Sequence, residues 1–180
     1  MEKNSLSVKA LVISALFLAL GIVLPQALHA IPNAGSVLLP MHIPVLLCGM
    51  AAGPLYGAGC GALTVLLSML FTGMPPVFPV GVSMMAELAV YGGVSGIGYR
   101  LLRCQERPRR TYTALGTAMV AGRLVNGALM ALLSLASGGS YTFTAFLAGA
   151  LVTALPGIIL QLVLIPPVMR ALEKAHLTIG

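Results

Sequence analysis

Two ionisable side chains stand inside otherwise apolar stretches of this sequence, and they are the natural start of any chemistry. Glu87 is the one acid between Met74 and Tyr99, and Arg123 is the one base between Thr111 and Ser140. A charge at membrane depth costs ~2.5–3.5 kcal/mol on insertion scales and marks a functional site by default. Asn126 follows Arg123 by three residues, so a helix places the amide and the guanidinium on one face. Together they offer a planar fork of N–H donors and an amide to one cavity. His42 and Gln161 are further polar groups in apolar surroundings. Gln161 reads as an interhelical hydrogen bond deep toward the cytoplasmic side, and His42 as an interfacial histidine or a ligand contact. Glu87 and Arg123 either pair with each other or touch a ligand, and the sequence leaves both readings open.

No enzyme constellation accompanies these groups. There is no HExxH, no GxSxG, no P-loop and no second carboxylate beside Glu87, so catalysis is disfavoured. The cysteines, Cys48, Cys60 and Cys104, form no CxxC pair and read as free thiols, with no metal site.

The elements that carry these residues must be membrane helices. Of 180 residues, 58% are hydrophobic and 8% charged, against roughly 25% charged in a soluble domain; the mean hydropathy is +1.00. Charge-free blocks run over Ala10 to Leu28, Met41 to Thr72 and Tyr141 to Met169, long enough for spans of about 20 residues. The first block is longer than the ~7–15 residues of a signal-peptide core and reads as a retained span.

The net charge of +6 invites a nucleic-acid reading, which the placement of the charges removes. Apart from Arg123, the basic residues lie at the N-terminus, around 100–110 and at the C-terminus. The positive-inside rule puts all three segments in the cytoplasm. No nucleic-acid partner is needed. Parity then fixes the count. The block Met41 to Thr72 must contribute two crossings or none, and the breaker Gly53-Pro54 splits it into helices from about Val37 to Ala52 and Leu55 to Phe71. A re-entrant hairpin is the competing reading of that block. Two more lie between Arg110 and Arg170, broken at Gly138-Gly139-Ser140. The expectation is an all-α integral membrane protein of the plasma membrane: one domain over 1–180, six transmembrane helices, both termini cytoplasmic. The outer loops, His29 to Ser36, Gly73 to Pro79 and about Ala136 to Tyr141, carry no charged side chain. They are rich in Pro, Gly, Asn and Ser, and read as lids over an outward pocket. Asn33 in the first of them is a further substrate-binding candidate.

The first helix carries Ala15 and Ala19, a small-xxx-small pair that lets another helix approach closely; Gly57 with Gly61, and Gly92 to Gly96, show a similar pattern. With these, the runs Pro40-Met41-His42-Ile43-Pro44-Val45-Leu46, Phe71-Thr72-Gly73-Met74-Pro75-Pro76-Val77-Phe78-Pro79 and Met85-Ala86-Glu87-Leu88-Ala89-Val90-Tyr91-Gly92 make the chain resemble the substrate-binding (S) components of energy-coupling factor (ECF) vitamin transporters. The resemblance extends over essentially the whole length. It implies six helices with both termini inside and a vitamin captured under the outer loops. It also implies a transmembrane coupling subunit docked on Ala15 and Ala19, and two cytoplasmic ATPase subunits. ATP is then the partners' cofactor, and this chain needs none. Pockets in that family are built from the later helices and the outer loops, a region that includes Glu87, Arg123 and Asn126. A carboxylate-bearing vitamin such as pantothenate suits Arg123 and is favoured; a purine-like queuosine precursor suits Glu87 and Asn126. The alternative class is a stand-alone ion-coupled secondary transporter.

Overall fold

The computed structural model describes residues 2–28, 39–137 and 154–179. In chain order its helices are α1 (Glu2–Ala27), α2 (His42–Ala52), α3 (Pro54–Thr72), α4 (Val82–Leu101), α5 (Arg107–Ala136) and α6 (Leu155–Lys174), with a short turn at Val77–Gly81 leading into α4. Among the described residues there is no strand. Five segments among the described residues are long and apolar enough to cross a membrane: Val8–Ala27, Pro54–Thr72, Val77–Leu101, Pro108–Ala136 and Leu155–Lys174.

The helix expected over Val37 to Ala52 is shorter than that. Leu39 takes a left-handed φ of 49° and Pro40 follows, so α2 begins only at His42. Its 11 residues rise ~16 Å, about half of a ~30 Å hydrocarbon core. Every one of them is buried, because α2 packs against α1, α3, α4 and α6 at once. A helix that is apolar on all sides is a core helix, and the other elements are arranged around this one. The break expected at Gly53-Pro54 is present. Gly53 has φ 113°, ψ 171°, a conformation open to glycine and costly for other residues, and Pro54 opens α3 where its missing N–H is no loss.

α4 starts at Val82, just past the loop expected over Gly73 to Pro79. Pro75, Pro76 and Pro79 hold the preceding stretch out of helix, with Phe78 extended at φ −127°, ψ 136°. This loop is tied to the end of α3: Ser68 Oγ donates to the Met74 carbonyl at 2.9 Å, and Gly81 N–H donates to the Pro76 carbonyl at 2.8 Å. The other two expected outer loops, including Asn33, lie outside the described residues except for Ala136 and Ser137.

Contacts place several helix ends together. Lys9 Nζ donates to the His176 carbonyl, and Ile179 N–H donates to the Ala51 carbonyl at 2.8 Å. Tyr99 donates to Glu173, while the Arg110 guanidinium lies 3.7 Å over the Tyr99 ring and donates to the Tyr99 carbonyl. The start of α1, the ends of α2, α4 and α6 and the start of α5 therefore share one end of the bundle, and it is the basic end. α2, α4 and α6 run toward it; α1, α3 and α5 run away from it.

The polarity of the molecule is inverted relative to a soluble protein. Leu11, Val12, Leu16 and Val23 on α1, Leu124 and Leu132 on α5 and Val163 on α6 are exposed, whereas His42, Ser83, Glu87, Ser95 and Gln161 are buried. Water cannot solvate the outer surface of such a bundle, and lipid can.

Candidate functional site

The buried polar groups converge on Glu87. It lies in the second turn of α4, on the face turned to α2 and α5, and is 2% exposed. Arg123 Nη1 is 3.5 Å from Glu87 Oε1, and His42 Nε2 approaches the same oxygen at 3.8 Å. Asn126 Nδ2 donates to the other oxygen, Oε2. The helical spacing that sets Arg123 and Asn126 on one face thus delivers both to one carboxylate. His42 is the first residue of α2 and is itself 1% exposed; it belongs to this cluster.

Tyr91 completes the group and was not singled out from the sequence. It stands one helical turn after Glu87, on the same face, and that spacing is the signal that finds it. Its ring meets the His42 imidazole edge-on, with centroids 5.0 Å apart at 88°. Gly122 gives the ring its room, since a Cβ there would lie 2.5 Å from two carbons of Tyr91.

The site is not saturated. Glu87 Oε1, both imidazole nitrogens of His42, and Nε and Nη2 of Arg123 are buried without a hydrogen-bond partner among the described residues. Buried polar groups are nearly always bonded, and each that is not costs about 1–3 kcal/mol. Several in one place make this a candidate binding site. The pattern on Arg123 is particular: Nη1 faces Glu87, and the two free nitrogens, Nε and Nη2, form the other edge of the plane. Those parallel N–H groups are the geometry that grips a carboxylate in two hydrogen bonds.

Gln161 is placed differently from the sequence expectation. α6 begins at Leu155, so Gln161 falls in its second turn, far from the basic end. Neither amide heteroatom has a hydrogen-bond partner among the described residues. Ala15 and Ala19 both lie on the exposed face of α1, while Ala10, Ile13 and Phe17 turn inward. Asn33 lies outside the described residues. Among these, no group of three or more His, Cys, Asp or Glu is placed to hold a metal, and the three thiols are free, with Cys104 exposed.

Comparison with curated proteins and with solved structures returns no match. The family model described as "ECF transporter, substrate-specific component" matches residues 9–169, which includes α2 to α5, most of α1 and α6, and every member of the polar cluster. The chain belongs to the substrate-specific components of ECF transporters, a family of membrane transport proteins and not of enzymes.

Proposed function

We propose that this chain is the capture subunit of an ATP-driven vitamin importer and that its substrate carries a carboxylate, with pantothenate favoured. The observation that carries the reading is the Nε/Nη2 edge of Arg123, unbonded among the described residues and buried beside the Glu87 carboxylate. A cationic ligand would be repelled there, and a neutral acceptor would bond it without charge assistance. An acid group satisfies it with two charge-assisted bonds in a site shielded from water. Glu87 and Asn126 then orient the guanidinium, and His42 lines the same space from α2.

The assembly follows from the family. In this reading the single domain crosses the plasma membrane six times, α2 serving as the second crossing, with both termini cytoplasmic. A transmembrane coupling subunit docks at Ala15 and Ala19 on α1. Two cytoplasmic ATPase subunits hydrolyse ATP, and this chain holds no cofactor of its own. The basic end of the bundle, with Arg100, Arg103 and Arg110, is the cytoplasmic end by the positive-inside rule.

Titration of the purified full-length chain tests the substrate class. Pantothenate is expected to bind, and panthenol, its alcohol analogue lacking the carboxylate, at least tenfold more weakly, about 1.4 kcal/mol. Equal affinity for the two, or binding of a purine-like queuosine precursor in place of both, overturns the carboxylate reading. The purine reading has its own support in Glu87 Oε1, an acceptor without a hydrogen bond that a ring N–H would satisfy.

A further inference from the structure

Gln161 carries an inference that rests on, and deepens, the reading just given. The contacts at the basic end act as a common ruler for depth. Tyr99 donates to Glu173, so these two residues are level, and α4 and α6 both run toward them. Glu87 stands twelve residues before Tyr99, and Gln161 stands twelve before Glu173. At 1.5 Å per residue each is ~18 Å above that contact. Arg123 follows Arg110, which stacks on Tyr99, by thirteen residues, or ~20 Å. His42 precedes Ala51, which accepts from Ile179, by nine residues, or ~14 Å. Four helices thus contribute their costly polar residues to one layer of the bundle.

The direction of the Gln161 side chain follows from its neighbours. Gly157, Gln161 and Ile165 are buried at intervals of four along α6, which is the stripe turned to the bundle interior. α6 packs against α2 and α5, the helices that carry His42 and Arg123. Gln161 is 1% exposed, and both Oε1 and Nε2 are unpartnered among the described residues. No structural bond among the described residues explains such a buried amide. It is also neutral, in a layer whose charges, Glu87 and Arg123, already balance.

We infer that Gln161 is a further substrate-binding residue, which reads an uncharged amide of the substrate while Arg123 grips its carboxylate. An amide offers a carbonyl to the Gln161 N–H groups or an N–H to its oxygen, and pantothenate carries both an amide and an acid. A simple hydrocarbon tail would leave the glutamine unbonded.

The test pairs Gln161→Leu, close in volume and unable to hydrogen-bond, with Gln161→Met as a second chain of similar length. Affinity for pantothenate and panthenol is measured by titration, and the melting temperature of the ligand-free protein by thermal unfolding. Both compounds keep the amide, so each substitution should weaken both by tenfold or more. Arg123→Met, by contrast, should weaken pantothenate selectively. The ligand-free melting temperature should rise, because an unsatisfied buried amide has been removed. Unchanged affinity in the two variants overturns the inference. Wild-type protein that binds neither compound overturns the Arg123 reading instead. The melting arm then still decides Gln161: a leucine chain that melts below wild type shows that the amide holds a structural bond, and sinks the assignment.

Discussion

Glu87 and Arg123 face each other at 3.5 Å in a setting where removing one partner strands the other. A buried pair broken on one side costs roughly 3–5 kcal/mol, whereas replacing both partners is often neutral. Glu87→Gln and Arg123→Met should therefore each lower the melting temperature, and the double variant should recover most of the loss, a coupling that a four-member cycle measures directly. Pairing alone predicts that pantothenate affinity is unchanged in all three. The free guanidinium edge predicts a different split. Arg123→Met and the double variant lose at least tenfold in affinity, and Glu87→Gln, which keeps the hydrogen bond from Asn126 available, loses less. Rescue of stability together with unchanged affinity would sink the pocket role of Arg123. These residues were legible in the sequence because a charge in a membrane block is rare and expensive. Tyr91 was not, since a tyrosine among apolar residues has nothing to distinguish it until the Glu87 face is known. Gln161 is a related case: the charge-free block from Tyr141 to Met169 gives no sign that α6 starts at Leu155.

At the scale of elements, small residues do two separate things that their spacing cannot tell apart. Gly57 on α3 and Gly92 on α4 let the two backbones touch where α2 also arrives. A Cβ on Gly57 would lie 2.5 Å from the Gly49 Cα and from the Gly92 carbonyl oxygen. Both are backbone atoms, which cannot swing aside as a side chain would. Gly57→Ala should cost about 1–3 kcal/mol through overpacking and melt several degrees lower in thermal unfolding. Gly59→Ala, two residues along on the exposed side with nothing within 4 Å, should melt at or above the wild-type temperature. Equal behaviour of the two would show that the α3–α4 seam is looser than drawn here. Ala15 and Ala19 repeat at the same interval of four but face outward. The sequence shows the interval; only packing shows which face is already used. The same limit applies to α2, whose apolar run marks a membrane segment but whose late start depends on the backbone at Leu39 and Pro40.

For the whole molecule, the distribution of charge and the contacts at the basic end agree. Parity of basic segments required the two ends of the chain to lie on one side, and Lys9 meets His176 in the folded bundle. What parity could not supply is the division of the outer surface between lipid and protein. On α1 the buried stripe is Ala10, Ile13 and Phe17, and Gly21 abuts Thr64 on α3. The opposite side offers Ala15 and Ala19 between exposed Leu11, Val12, Leu16 and Val23, a shallow track with larger residues beside it. Lipid would cover such a face without preference. A coupling-subunit helix would gain close backbone approach along the two alanines, and leucine at both positions removes that approach while leaving the interior stripe untouched. Ala15→Leu/Ala19→Leu should thus bind pantothenate with wild-type affinity and fail to transport it in proteoliposomes containing the coupling and ATPase subunits. Wild-type chain in the same vesicles should transport only when ATP is supplied. Uptake by the chain alone under a proton or sodium gradient would place it among ion-coupled carriers. Normal uptake by the double variant would move the docking face elsewhere on the bundle.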